Sequence, residues 1–265
     1  MGRLLDEVDG CALIGMVHLG PLPGSPGWKG DLAAVLDAAE RDADALLEGG
    51  ADALLVENMG DLPYLRGGVP PWTVAAMALA TERVARRGVP VGVQVLAAAN
   101  REALGVALAA GARFLRVEAF AYAHVADEGW LDACAGPLLR DRTALGADVR
   151  VWADIRKKHA AHAVTADLDL AAIAKGTAFC GADALIVTGE STGAPTSAQD
   201  VVAARAAGLP VVVGSGVDER DAGTLGEVAD ALIVGTSLKV GGDWRAPVDP
   251  ARVRRLKAAI SGGRG

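Results

Sequence analysis

The chain of 265 residues carries 26 Lys and Arg against 33 Asp and Glu, a formal net charge of −7, and 51% of its residues are hydrophobic. That hydrophobic share supports a large core and excludes a disordered chain, and the acidic balance excludes a general nucleic-acid binder, which needs a basic face. Aromatic residues make up only 4%, so Ala, Val, Leu and Ile must fill most of the core.

The first nine residues, Met1-Gly-Arg-Leu-Leu-Asp-Glu-Val-Asp9, place acids where a signal peptide needs a basic and then an apolar run. An apolar run at 12–17 (ALIGMV) reads as a buried strand ending at His18, ahead of an irregular loop, Gly20-Pro-Leu-Pro-Gly-Ser-Pro26. A helix is predicted over 31–48, because Leu32, Val35, Leu36, Ala39, Ala43 and Leu46 recur at three-to-four spacing behind an Asp31 N-cap. The second run, 52–57 (DALLVE), ends at Glu57-Asn58. The helix after it, 71–87, opens on Pro71 in its first turn and is apolar on more than one face, which predicts a homo-oligomer. The third run, 91–96, carries Gln94 and leads to a helix over 100–110 with Asn100 as N-cap. The fourth, 114–118, ends at Glu118, with a helix expected over 128–145. The fifth, 149–154, ends at Asp154, with Lys157, Lys158, His159 and His162 just beyond. After a helix at 166–180, the sixth run, 183–188, ends at Thr188 beside Glu190, Ser191 and Thr192. Helices at 196–207 and 218–228 flank the seventh run, 211–214, which ends in Gly214-Ser215-Gly216. The eighth, 230–235, runs into Gly235-Thr236-Ser237 with Lys239 nearby, and a last helix spans 250–260.

These runs are nearly continuous in hydrophobicity, which suits parallel strands covered on both faces. Gly50-Ala-Asp-Ala-Leu-Leu-Val-Glu57 is echoed by Gly111-Ala-Arg-Phe-Leu-Arg-Val-Glu118, by Gly181-Ala-Asp-Ala-Leu-Ile-Val-Thr188 and by Ala229-Asp-Ala-Leu-Ile-Val-Gly235. Each copy is a helix end, a tight turn and a buried strand. Eight such units predict one α/β domain over residues 1–265, a (β/α)8 TIM barrel. An open doubly wound sheet would not need eight regular units, and the chain has no strand-to-helix GxGxxG followed by an acid.

A barrel carries its site at the carboxyl ends of its strands, and nearly every strand here ends in polar or ionisable residues. Glycines after strands seven and eight let a backbone approach an oxyanion, so Gly214, Ser215, Gly216, Gly235, Thr236 and Ser237 are expected to bind phosphate. Asp154, Glu118 and His159 are the candidate catalytic residues. His18, Glu57, Asn58, Gln94, Lys158, Thr188 and Glu190 are the candidate substrate contacts. Converging carboxylates suit acid–base work, stabilisation of an oxocarbenium ion or a divalent metal, and no other cofactor is implied. Against this stands charge balance of the carboxylates with Arg116, Lys157 and Lys158. His159 and His162 at i, i+3 make a weak metal pair. Lys157, Lys158 and Lys239 lie beyond the strands, where a Schiff-base lysine is unexpected, and Ser191 lacks a nucleophile-elbow setting. Cys11, Cys134 and Cys180 are far apart with no CxxC, which predicts buried thiols in a reducing cytoplasm. No apolar stretch approaches the ~18 residues of a membrane span.

Longer motifs carry a resemblance. Ile14-Gly-Met-Val-His-Leu-Gly-Pro-Leu-Pro-Gly-Ser-Pro26, Glu57-Asn-Met-Gly-Asp-Leu-Pro-Tyr64, Ala153-Asp-Ile-Arg-Lys-Lys-His159, Thr188-Gly-Glu-Ser-Thr-Gly-Ala-Pro195, Gly214-Ser-Gly216 and Gly235-Thr-Ser-Leu-Lys239 resemble the BtpA/SgcQ family over nearly the whole chain. The resemblance implies a phosphate-binding TIM barrel. One branch of that family is named for photosystem I assembly or stability, and another is described as nucleosidase-like and linked to sugar metabolism. The expected function is therefore an enzyme on a small phosphorylated sugar or nucleoside-like compound, cleaving an N-glycosidic bond. Asp154 or Glu118 would stabilise positive charge at the anomeric carbon or activate water, His159 would protonate the leaving group, and Glu57 and Asn58 would hold sugar hydroxyls. The alternatives are a non-catalytic assembly factor and a phosphosugar isomerase or aldolase.

Overall fold

All eight apolar runs become strands: β1 (Ala12–His18), β2 (Ala53–Glu57), β3 (Val91–Gln94), β4 (Phe114–Val117), β5 (Arg150–Asp154), β6 (Ala184–Val187), β7 (Val211–Val213) and β8 (Ala231–Val234). In the computed structural model, which describes residues 8, 10–157, 160–189 and 196–262, they form a closed barrel in chain order. All its pairings are parallel, and β8 returns to β1 with Ala12 opposite Ala231 and Ile14 opposite Ile233. Outside it lie α1 (Leu32–Glu48), α2 (Pro71–Ala85), α3 (Asn100–Ala110), α4 (Ala135–Ala144), α5 (Leu170–Phe179), α6 (Ala198–Arg205), α7 (Ala222–Val228) and α8 (Pro250–Gly262). The expected (β/α)8 barrel is the observed fold.

Alternate side chains of each strand face opposite ways, which splits the core into two layers. Ile14, Met16, Leu55, Phe114, Trp152, Ile186 and Ile233 fill the barrel interior, while Leu13, Leu54, Val151, Leu185 and Leu232 pack outward under the helices. The Phe114 and Trp152 rings stack inside at 3.9 Å. Gly92 on β3 makes that stack fit, because a Cβ there would collide with the Phe114 ring.

Local chemistry sets the helix starts. Asp31 accepts the Ala34 N–H at 3.0 Å and Asp169 the Ala172 N–H at 2.7 Å, so α1 and α5 begin just after them. Pro71 opens α2 as expected. Asn100, in contrast, is not an N-cap: it is the first residue inside α3, and its side-chain amide donates to the Glu118 carbonyl at 2.8 Å. The expected helix over 128–145 is also wrong in its first half. Gly129–Leu131 is a short strand that pairs antiparallel with His124–Ala126, which pairs in turn with Ala160–Ala161. Gly129 sits at φ +109°, a turn conformation, and Pro137 is tolerated only in a first turn, so α4 begins at Ala135. The expectation of buried thiols holds for Cys11, whereas Cys134 is half-buried and Cys180 is exposed at the end of α5.

Candidate active site at the barrel mouth

The inward-facing positions of the strands continue upward from the apolar layer into a polar one. Two residues past Met16 comes His18, past Leu55 Glu57, past Gly92 Gln94, past Phe114 Arg116, past Trp152 Asp154, past Ile186 Thr188, past Val212 Gly214, and past Ile233 Gly235. This layer is where a strand-end site of a barrel belongs.

Arg116 is its hub. Its guanidinium donates to both Asp154 carboxylate oxygens, at 3.0 and 3.1 Å, and to the Gly214 carbonyl at 3.0 Å. The bidentate pair orients both groups and offsets their burial. His18 Nε2 lies 3.7 Å from Glu57 Oε2, and His18 Nδ1 is buried with no partner among the described residues. Burial, followed by the charges of Lys239 and Arg116, pushes the His18 imidazole down to about 3, so it is neutral at physiological pH. Glu57 moves the other way. Burial raises it to about 7, Arg116 opposes the rise, and the nearby Glu118 and Asp154 add to it. A carboxyl poised there can both hold and release a proton near neutrality.

Glu118 is raised by burial against the opposing charge of Lys157. Its Oε2 accepts the Ala98 N–H at 2.8 Å, and Lys157 Nζ lies 3.4 Å from its Oε1. Lys157 also bonds Glu128 at 2.9 Å, in the turn of the small antiparallel sheet, so one ammonium ties that sheet to the end of β4. His124 and His162 face each other in this sheet with ring centres 5.3 Å apart. Burial, then His162 and Lys157, lowers His124 to about 4.

The glycine loops meet as the sequence predicts. Gly214, Ser215, Gly216, Gly235, Thr236 and Ser237 border one cavity of about 880 Å³ together with His18, Glu57 and Arg116. A Cβ on Gly235 would lie 2.6 Å from His18 Cε1, and one on Gly214 would strike Ile186 and approach Arg116 to 3.1 Å. Gly216 adopts φ +75°. Ser215 Oγ is buried without a partner among the described residues, whereas Ser237 Oγ donates to the Val217 carbonyl at 2.8 Å.

Other candidates stand elsewhere or are already engaged. Asn58 follows the inward Glu57 and is turned to the loop after β3: its Oδ1 accepts the Leu96 N–H at 2.7 Å and its amide donates to Asp61 at 3.0 Å. Thr188 donates to the Arg156 carbonyl at 2.7 Å. Gln94 is buried, and its Oε1 has no partner among the described residues. Lys239 is fully buried in an ion pair with Asp42 of α1, which also accepts the Val248 N–H at 2.9 Å. Lys158, His159 and Glu190 lie outside the described residues. Among the described residues no group of three or more His, Cys, Asp or Glu is placed to hold a metal ion, and no helix is long and apolar enough to cross a membrane. The charge balance weighed in the sequence is present, with Arg116 on Asp154 and Lys157 on Glu118, but the sequence reading did not place Arg116 in the mouth and passed over Glu128. The period of two after Phe114 is the signal that puts Arg116 in the mouth.

Solved structures with this fold include tryptophan synthase from M. tuberculosis in an open, ligand-bound form (TM-score 0.64, 18% identity, 98% of this chain and 97% of that one). The N-(5'-phosphoribosyl)anthranilate isomerase of Pyrococcus furiosus is a second (TM-score 0.56, 12% identity, 95% and 99%). At such identities the likeness shows the fold alone. Curated relatives are far more similar in sequence. An uncharacterized protein of Caenorhabditis elegans, named mitochondrial, is 40% identical over 257 residues, covering 94% of this chain and 92% of that one. The photosystem I biogenesis protein BtpA of Synechocystis is 39% identical over 257 residues, 95% and 88%. The model of the BtpA family matches residues 10–262, and the chain belongs to that family.

Proposed function

We propose that this protein is an enzyme acting on a small phosphorylated sugar or nucleoside-like compound, with hydrolysis of an N-glycosidic bond as its reaction. The observation that carries the reading is one cavity in which two glycine loops face His18, Glu57 and Arg116. The loops would receive a phosphate through backbone N–H groups, with the Ser215 hydroxyl as a further donor. The acidic layer would then stand at the sugar's anomeric carbon. As the bond to the base breaks, positive charge grows on the sugar, and the carboxylates of Glu118 and Asp154 stabilise it. Asp154 acts largely by orienting Arg116, since both its oxygens are engaged there. Glu57, titrating near 7, accepts a proton from the attacking water. His159 is proposed to protonate the departing base.

The binding half of this reading is tested with ribose 5-phosphate and the Gly235→Val variant. Calorimetry is expected to show binding to the wild type and its loss in the variant, because the valine side chain meets the His18 ring. Crystals grown with phosphate are expected to show density at the glycine rim. An anion seen only at Lys157 or Lys158 would sink the assignment.

A second reading, a non-catalytic assembly factor, draws on the name of the Synechocystis relative and on the exposed Trp72 and Leu79 of α2. An assembly factor tolerates loss of Asp154 and Glu118 and depends on such an apolar face; an enzyme shows the reverse.

A further inference from the structure

His18 borders two cavities. One is the phosphate-side cavity described above. The other, of about 910 Å³, lies between the loop after β1, α1 and the segment 244–248 that follows β8. His18 is thus shared between the two linings, with side-chain exposure of 7% and its Nδ1 unpartnered among the described residues. A ligand anchored at Gly235 lies directly against that ring, since even an added Cβ at Gly235 would lie 2.9 Å from His18 Nε2.

The second cavity has its own chemistry. Pro21, Leu62 and Trp244 supply apolar walls. Its floor is the buried Lys239–Asp42 ion pair, which is internally neutral. Its rim is cationic: Lys29 and Arg41 line it, both are exposed, and neither has an acidic partner among the described residues. Arg245, over the Trp244 ring at 4.4 Å, adds a third positive charge, shared with Asp243 at 3.7 Å. Asp42 is the acid of this lining, and Lys239 engages it. In a chain of net charge −7, such a local excess of cations is set against the overall balance.

We infer that this cavity is a second subsite, holding a planar group that bears a negative charge and is joined across His18 to the phosphorylated end of the same ligand. The inference rests on the proposed function and narrows it to phosphorylated ribosides with an acidic aromatic or heterocyclic part. Flat rings pack on Trp244 and Pro21, and the rim cations select the acid over the neutral analogue. His18, kept neutral, separates the two anionic halves without adding a charge of its own.

The test compares three probes by calorimetry at low salt: ribose 5-phosphate, uridine 5'-monophosphate and orotidine 5'-monophosphate, which differs from the second by one ring carboxylate. The wild type is expected to bind them in rising order of affinity. Trp244→Ala should weaken both nucleotides by up to about tenfold, the worth of one good ring contact, and leave ribose 5-phosphate unchanged. Lys29→Glu with Arg41→Glu should abolish the preference for orotidine over uridine monophosphate. Unchanged ribose 5-phosphate binding shows that each variant is folded. Equal affinity for all three probes, or variants that shift all three alike, overturns the subsite and leaves the proposed function standing. Failure of the wild type to bind any probe overturns both.

Discussion

Glu57 concentrates the physics of the mouth in one side chain. Its ordinary value of 4.5 is raised to about 7 in the fold, chiefly by burial. Between those two values the unfolded chain has released the proton while the folded chain still holds it. Folding then binds a proton, so stability falls as pH rises through this window. His18 works at the other end: lowered from 6.5 to about 3, it makes the protein lose stability as pH falls through that range. Glu57→Gln keeps the shape and removes the upper of these two dependences. The variant is expected to melt higher than the wild type at pH 8, by an amount equivalent to at most roughly 3 kcal/mol, with little difference at pH 5. Thermal melts at the two pH values measure it, and an equal shift at both would refute the assignment. Single residues were unevenly legible. His18, Glu57 and Asp154 could be found because each ends an apolar run. Asn58, next to Glu57, is just as polar, but the strand's alternation turns it away from the mouth and into the loop after β3. Arg116 does balance a carboxylate, as read, by pairing with Asp154, but its place in the mouth is hidden because it sits inside a run, where a charge looks like an intrusion until the alternation with Phe114 is followed.

At the scale of elements, strands proved easier to read than helix starts. A buried parallel strand is a continuous apolar run, and its limits are fixed by the polar layer above and the tight turn below. The helix expected at 128–145 failed because Ala and Leu density was followed past two contrary signs, Gly129 and Pro137. The small sheet that replaces its first half is made of strands of two or three residues, too short to show any period. Gly92 tests how tightly neighbouring strands are matched. It faces the Phe114–Trp152 stack from β3, and its missing side chain is the space that stack occupies. Gly92→Ala forces the rings apart in a filled interior, where overpacking typically costs about 1–3 kcal/mol. Chemical denaturation should show that loss with an unchanged slope. A variant as stable as the wild type would mean that the stack has room to move.

Across the whole molecule, the barrel was legible because the same joint recurs along the chain, whereas the contacts that build the site were not. Arg116 reaches Gly214 over 98 residues of sequence, and Lys239 reaches Asp42 over 197. No local pattern announces either pair; each follows only once the strands close in order and β8 lies beside β1. The same closure governs the outer surface. Each helix needs one apolar stripe for the barrel, and α2 spends Thr73, Ala76, Met77, Ala80 and Val84 on it. Trp72, Ala75 and Leu79 remain exposed, spaced by three and four residues and therefore aligned on a second face. Leu62 and Leu65, in the loop that leads into α2, are exposed as well. We propose that a second copy of the chain covers this face, as the apolar character of the segment 71–87 suggests. The wild type should then sediment as an oligomer at micromolar concentration, and Trp72→Glu with Leu79→Glu should shift it to the monomer while the barrel's far-ultraviolet circular dichroism stays unchanged. Both side chains already face solvent, so the charges cost the isolated barrel little and the association much. A wild type that sediments as a monomer would leave α2 as an ordinary outer helix and remove the reason for its second apolar face.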